Sequence, residues 1–212
     1  MPRRPPEVPL TLISLVRAAL AAAVFAVVPE LARAAKPAVP RAPAASPAVK
    51  GELTILYGDD PAFGIVPPAG WSVDDSSGIR SNLRVVLYPR GQKWAEAPTV
   101  MYVNPLHQSA ASRRTIRQMI EHDVAEFMKK APGGRVTARP ALKTAKSQVA
   151  EVRYFAPTGG SPMEAVAYVA EADLVMLLVL QSRYADGFRR GLPAFESIVA
   201  SYQFVAGGIQ TT

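Results

Sequence analysis

Few side chains in this sequence could do acid–base or nucleophilic chemistry, and their spacing does not match a known catalytic motif. The chain has two histidines, His107 and His122, and no cysteine. A serine nucleophile needs a histidine oriented by a carboxylate, and such serines often lie in Gly-x-Ser-x-Gly or Ser-x-x-Lys motifs. The sequence contains neither motif. We therefore expect a protein that is not an enzyme, and the alternative is a hydrolase or metal-dependent enzyme that uses His107 or His122.

Two groups of acidic residues could contribute metal ligands. His122 lies one helical turn before Glu126 in a predicted helix, but a zinc site needs at least three protein ligands and the His-Glu-x-x-His motif is absent. Asp74 and Asp75 lie in a turn-forming segment without the alternating acids and downstream glutamate of a calcium loop. We predict a solvated helix face, a plain turn, no metal site and no cofactor.

Cationic and aromatic residues are better candidates for binding. Arg90, Lys93 and Trp94 occupy one loop between two predicted strands. Arginine and aromatic residues are enriched where proteins contact one another, so this loop is a predicted protein contact. The alternative is that Trp94 folds back onto the sheet.

A second cationic group consists of Arg113, Arg114 and Arg117 on one predicted helix. Such a cluster can contact an acidic protein or the anionic headgroups of a membrane, which would allow peripheral membrane contact. The alternative is that these arginines only keep an exposed helix face soluble.

The distribution of charge excludes a nucleic-acid footprint. The formal net charge is +7, but residues 1–50 hold seven Lys/Arg and two Asp/Glu. Residues 51–212 hold 17 Lys/Arg against 15 Asp/Glu, a net of +2. A nucleic-acid-binding domain is usually strongly basic, so we predict no nucleic-acid partner.

The N-terminal segment has the features of a signal peptide. Arg3 and Arg4 precede an apolar run over residues 18–28, and Ala32 and Ala34 are small residues at the positions that a signal peptidase reads. The run is shorter than the roughly 20 residues that span a bilayer, which disfavours the alternative of an uncleaved anchor. We predict a signal peptide over residues 1–34, general secretion, and a periplasmic or secreted mature protein.

Proline-rich composition separates this segment from the folded domain. Residues 35–50 repeat Pro among Ala and Val and are predicted to be an extended linker. Residues 51–212 form the predicted domain. Its predicted strands cover 53–57, 63–66, 83–88, 99–103, 135–139, 147–156, 163–171 and 174–182. A helix is predicted over 112–130, with Ser109 or Ser112 as cap, and a second helix carries the apolar stripe from Phe188 to Tyr202.

This order of elements predicts an α+β fold with a central antiparallel sheet flanked by helices. The strand over 174–182 is apolar at nearly every position from Leu174 to Leu180, so both of its faces should be covered. Ala172 and Asp173 are predicted to form the tight turn before it. Phe195 and Val199 lie on the stripe that should cover one face of this strand.

Several short segments resemble the PsbP-like family. They are Phe63 to Trp71 (FGIVPPAGW), Leu87 to Pro89 (LYP), the amphipathic helix after the strand at 99–103, Glu164 to Val169 (EAVAYV) and Phe195 to Tyr202 (FESIVASY). The resemblance implies an α/β/α sandwich and transfers no catalytic residue. Together with the export signal it predicts a non-enzymatic accessory module that binds another envelope or exported protein.

Overall fold

The computed structural model describes residues 52–56, 62–81, 83–109, 113–159 and 162–205. The predicted signal peptide (1–34) and linker (35–50) lie outside these residues. The described ranges contain ten strands and two α-helices. The strands are β1 (Thr54–Leu56), β2 (Phe63–Ile65), β3 (Trp71–Asp74), β4 (Val85–Pro89), β5 (Thr99–His107), β6 (Arg135–Lys143), β7 (Val149–Ala156), β8 (Met163–Ala170), β9 (Leu174–Ser182) and β10 (Gln203–Phe204). The helices are α1 (Ile116–Lys130) and α2 (Ala185–Ser201).

Seven strands form the main sheet in the order β3-β4-β5-β9-β8-β7-β6. Every neighbouring pair in it is antiparallel, which confirms the predicted fold class. β9 lies at the centre between β5 and β8, and all nine of its residues are buried. The prediction that both faces of this strand are covered is therefore confirmed.

Helix α2 covers one face of the sheet. Phe195 and Val199 are almost fully buried in the core cluster that contains Leu178 and Leu180 of β9. Burial of large apolar side chains is the main source of stability in such a layer. The predicted stripe is therefore correct, although Tyr202 lies just beyond the end of the helix and is buried there.

Helix α1 covers the opposite face. Tyr168 lies opposite Leu177 in the β8–β9 register and donates a 2.8 Å hydrogen bond to the buried carboxylate of Asp123 in α1. Phe127 of α1 makes an edge-on ring contact with Phe155 of β7, with centroids 5.3 Å apart. Because side chains alternate between the faces of a strand, these contacts place α1 and α2 on opposite sides.

A small three-stranded sheet in the order β1-β2-β10 completes the core. Phe63 and Ile65 of β2 are buried in the same cluster as α2, and the rings of Phe63 and Tyr202 lie 6.2 Å apart. The Tyr202 hydroxyl donates a 2.9 Å hydrogen bond to Glu171, which joins the end of α2 to the β8–β9 turn. Burial and the Glu171 carboxylate raise the pKa of Tyr202 well above its usual value.

Several predicted boundaries are wrong. Helix α1 begins at Ile116, and its cap is Thr115, which forms a capping box with Gln118. Ser112, one of the two predicted caps, lies outside the described residues. The β8–β9 connection has three residues, because Glu171 bonds to Leu174 across the turn.

Two strands continue beyond their predicted ends, and each contains a proline in the added part. β5 continues to His107 through Pro105, and β6 continues to Lys143 through Pro140. Beyond Val103, β5 pairs with β9 alone, and β6 is an edge strand that pairs with β7 alone. Proline is tolerated in strands where one side needs no backbone donor.

The sequence also missed β3. Trp71 begins β3 and pairs with Pro89 of β4, while its side chain packs against the core. A four-residue strand between a glycine turn and an acidic turn carries too few residues for its alternation to be recognised.

Candidate functional site

The two predicted contact groups lie at opposite ends of the main sheet. Thr99 pairs with Ser182 at one end of β5, and His107 pairs with Leu174 at the other. Nine strand residues separate these ends by about 27 Å. We call the first the tryptophan end (residues 90–98 and 183–184) and the second the arginine end (residues 107–109, 113–117 and 171–173).

Backbone hydrogen bonds hold the loop over residues 90–98, both within the loop and to Gly70 and Pro89. The Arg90 N–H donates to the Gly70 carbonyl at 2.8 Å, and the Ala97 N–H closes a helical turn onto the Lys93 carbonyl at 2.9 Å. The Gln92 backbone N–H donates to the Pro89 carbonyl at 3.1 Å. These bonds satisfy backbone groups locally, so the loop presents its side chains from a defined backbone.

Trp94 is partly buried and the two cations beside it are exposed. Lys93 lies 3.7 Å from Glu96 in an exposed ion pair. Within the described part of the chain, the Arg90 side chain forms no ion pair. Partial burial of Trp94 is compatible with both arrangements that the sequence left open, so its role as a contact residue stays a prediction.

The junction of β9 and α2 lies beside this loop. The Arg183 N–H donates a 2.9 Å hydrogen bond to the Pro98 carbonyl, and Tyr184, the next residue, is 65% exposed. The sequence did not suggest these two residues, because they lie about ninety positions downstream of the loop. No spacing signal could have joined them, since the pairing of β5 with β9 brings them together.

At the arginine end, two of the three predicted cations have carboxylate partners. Arg117 pairs with Glu121, one helical turn later, at 2.9 Å. Arg113 pairs with Asp173 of the β8–β9 turn at 2.8 Å. Arg114 is partly buried, and its backbone N–H donates to the Gln108 side chain. The cluster is thus partly neutralised by its surroundings.

The two histidines lie on different elements. His107 ends β5 and is exposed, whereas His122 lies in the middle of α1 and is partly buried. Among the residues that the structure describes, no group of three His, Cys, Asp or Glu side chains is placed to hold a metal ion. Glu126, one turn after His122, pairs with Lys129 at 2.7 Å, and the hydrogen bond from Lys129 lowers the pKa of the Glu126 carboxyl.

The buried polar side chains that the sequence did not single out connect parts of the fold. Thr99 and Ser182 share a 2.8 Å hydrogen bond between β5 and β9. Gln181 donates to Glu164 at 2.9 Å between β9 and β8. Buried polar groups need such partners to offset the loss of water, so these contacts have a structural explanation.

The edge strand β6 is another surface that could bind a protein, by adding a strand. Its pairing with β7 shifts register between Arg139 and Leu142, and Pro140 lies in the shifted segment. The Arg139 guanidinium stacks over the Tyr154 ring at 5.0 Å. Bulges, proline and charge are the devices that block strand addition, so β6 is a protected edge.

The acidic turn after β3 satisfies its carboxylate internally. Asp74 accepts hydrogen bonds from the backbone N–H groups of Ser76 and Ser77, both at 2.8 Å, and from the Tyr88 hydroxyl at 2.9 Å. Burial raises the pKa of Asp74, but the hydrogen bonds from Ser77 and Ser76 outweigh this effect and hold the pKa well below its usual value. This bonding accounts for a plain turn.

Because the pKa of Asp74 is lowered in the folded protein, the free energy of unfolding should depend on pH in the acid range. The contribution of Asp74 is present above the unfolded pKa of about 4 and is lost as the pH falls through the folded pKa. We expect Asp74→Asn to flatten the fall of unfolding free energy below about pH 4. Urea melts across this pH range measure the effect, with Asp75→Asn as the matched control. An unchanged acid branch in Asp74→Asn would show that its hydrogen bonds do not stabilise the fold.

Several solved structures are similar to this chain at low sequence identity. The chain is similar to a cyanobacterial PsbP, CyanoP from Synechocystis sp. PCC 6803, with 12% identity and a TM-score of 0.45 over 67% of this chain and 86% of that chain. It is also similar to LpqN of Mycobacterium tuberculosis, described as involved in cell envelope biogenesis, with 12% identity and a TM-score of 0.47 over 73% of this chain and 91% of that chain.

A third similar structure, from Bacteroides thetaiotaomicron, has 10% identity and a TM-score of 0.43. The match covers 68% of this chain and 45% of that chain. No protein-family model and no curated protein matches the sequence. One of these similar structures is a PsbP, and the sequence resembles the PsbP-like family. The described residues form an α+β domain with an antiparallel sheet between a helix on each face.

Proposed function

We propose that this protein is an exported, non-enzymatic accessory module that binds another envelope or exported protein. The main support for the proposal is the tryptophan end. There a loop with a hydrogen-bonded backbone presents Trp94 beside the exposed cations Arg90 and Lys93. Partly exposed tryptophan and arginine side chains contribute more to protein interfaces than most other residues. The two histidines, in contrast, lie on separate elements, His107 at the end of β5 and His122 in the middle of α1.

Binding of anionic surfaces through the arginine end is less well supported. Arg113 and Arg117 both have carboxylate partners, which lowers the charge that they offer to a lipid headgroup. Neither α1 nor α2 is long and apolar enough to cross a membrane, a finding that covers only the described residues. Peripheral membrane contact through this end therefore stays a secondary proposal.

Site-specific photo-crosslinking in the producing cell tests the binding function. Ala95 and Ala172 are both exposed and lie at opposite ends of the sheet, so they form a matched pair of positions for a photoreactive residue. We expect Ala95 to capture one reproducible envelope or exported protein and Ala172 to capture much less of it. Mass spectrometry of the crosslinked product identifies the partner.

The same experiment separates binding from enzymatic activity. His107→Gln with His122→Gln should leave the Ala95 crosslink and any phenotype of the gene unchanged. Loss of the phenotype with an intact fold and an intact crosslink would support the enzyme alternative. Equal capture from Ala95 and Ala172, or capture from neither, would contradict the proposed contact.

Export makes a prediction about the mature N-terminus. If the apolar run and the Ala32 to Ala34 segment form a signal peptide, the protein isolated from its native cell should begin near Ala35. N-terminal sequencing measures this directly. Finding soluble cytoplasmic protein that begins at Met1 or Pro2 would contradict export.

A further inference from the structure

The tryptophan end is a larger surface than the loop alone. The Arg183 to Pro98 hydrogen bond and the pairing of Thr99 with Ser182 fix the β9–α2 junction against the loop. Tyr184 thereby joins Trp94 at the same end of the sheet. We define the aromatic–cationic patch as Arg90, Lys93, Trp94, Arg183 and Tyr184.

Two of the three cations in the patch have no carboxylate partner among the described residues. Arg90 and Arg183 form no ion pair with any described residue, and Glu96 is held by Lys93. Asp186, the first carboxylate of α2, forms an ion pair with Arg189. An unpaired guanidinium presents a planar set of donors that matches the two oxygens of a carboxylate.

The chemistry of the exposed side chains favours a protein over a membrane. Within the described residues, exposed large hydrophobic side chains such as Leu53 and Ile79 lie elsewhere in the fold. At the tryptophan end the exposed large side chain is Tyr184, which carries a hydroxyl. Trp94 is partly covered, so it does not project as an inserting side chain. Insertion into lipid requires apolar side chains that reach below the headgroups.

We propose that the aromatic–cationic patch binds an acidic, extended segment of the partner protein. This inference rests on the proposed binding function and specifies the partner's chemistry. Arg90 and Arg183 bind side-chain carboxylates of that segment, while Tyr184 and the accessible part of Trp94 contact its backbone and aliphatic groups. Charge complementarity of this kind sets both the rate and the specificity of association.

The test uses the protein as purified from the cells that produce it. The probe is a fluorescent peptide of about 12 residues that alternates Glu and Ser, and its binding is followed by fluorescence anisotropy. Arg90→Gln with Arg183→Gln should weaken binding at least about tenfold. The matched control, Arg114→Gln with Arg117→Gln at the opposite end, should change the affinity less than about twofold. Thermal melts of both variants show whether the fold is intact.

Two further probes distinguish the outcomes. A Gln–Ser peptide of the same length should bind much more weakly, and binding of the Glu–Ser peptide should weaken as salt rises. Equal losses in the two double variants, or no binding of the Glu–Ser peptide, would overturn the proposed partner chemistry. Phosphatidylglycerol vesicles that bind through Arg90 and Arg183 while the peptide does not would assign the patch to a membrane instead. A persistent Ala95 crosslink in any of these cases would leave the proposed binding function standing.

Discussion

Replacing Phe195 with Ala should lower the free energy of unfolding by about 3 to 5 kcal/mol. Phe195 is 1% exposed and belongs to the cluster that joins α2 to Leu178 and Leu180 of β9. The truncation removes buried apolar surface and leaves a cavity that a central sheet cannot collapse to fill. Such a loss is a large share of the 5 to 15 kcal/mol that typically stabilises a domain, so the variant should be close to unfolding.

Denaturant melts of Phe195→Ala measure this loss. Glu196→Ala, at the exposed neighbouring position of the same helix, is the control and should change stability by less than about 0.5 kcal/mol. A Phe195 variant as stable as the parent would mean that α2 does not contribute to the core, and the layered architecture would then be wrong.

Replacing Gly187 with Ala should destabilise the protein by about 1 to 3 kcal/mol, although alanine is the better helix former. A Cβ at position 187 would lie 2.4 Å from Thr99 Oγ1 and 2.6 Å from Ser182 Oγ. These two oxygens share a buried hydrogen bond that a displaced side chain would break. The cost of overpacking should therefore exceed the gain of about 1 kcal/mol from helix propensity.

A double-mutant cycle tests the stated cause. Thr99→Ala removes the atom nearest to the added methyl group, so Gly187→Ala should cost less in that background than in the parent. Additive effects in the cycle would show that the loss comes from another source. A Gly187 variant more stable than the parent would show that α2 can shift away from the sheet at little cost.

The Phe195 prediction could be made from the sequence, but the Gly187 prediction could not. The apolar stripe that contains Phe195 was visible, because helical periodicity puts residues three and four apart on one side. The need for glycine at position 187 was not visible, because it depends on Thr99 and Ser182, which belong to strands far apart in the chain. A local pattern states which side of an element is apolar but not how closely its neighbour approaches.

The residues of the candidate site also fall into two groups, those that the sequence reveals and those that only the tertiary structure reveals. Arg90, Lys93 and Trp94 could be found because one loop holds them, and the Arg117–Glu121 pair could be found because one helical turn separates its members. These are properties of short segments. Arg183 and Tyr184 became part of the surface only through the pairing of β5 with β9.

The sequence by itself determined the α+β class, the two-sided burial of β9 and the apolar stripe of α2. It did so because the periods of strands and helices are fixed by backbone geometry and can be recognised in the order of apolar residues. The tertiary structure decided that the two cationic groups lie at opposite ends of the sheet, that Asp173 pairs with Arg113, and that Tyr184 joins Trp94. Strand register decides these contacts, and register depends on the packing of the whole sheet, which no short segment specifies.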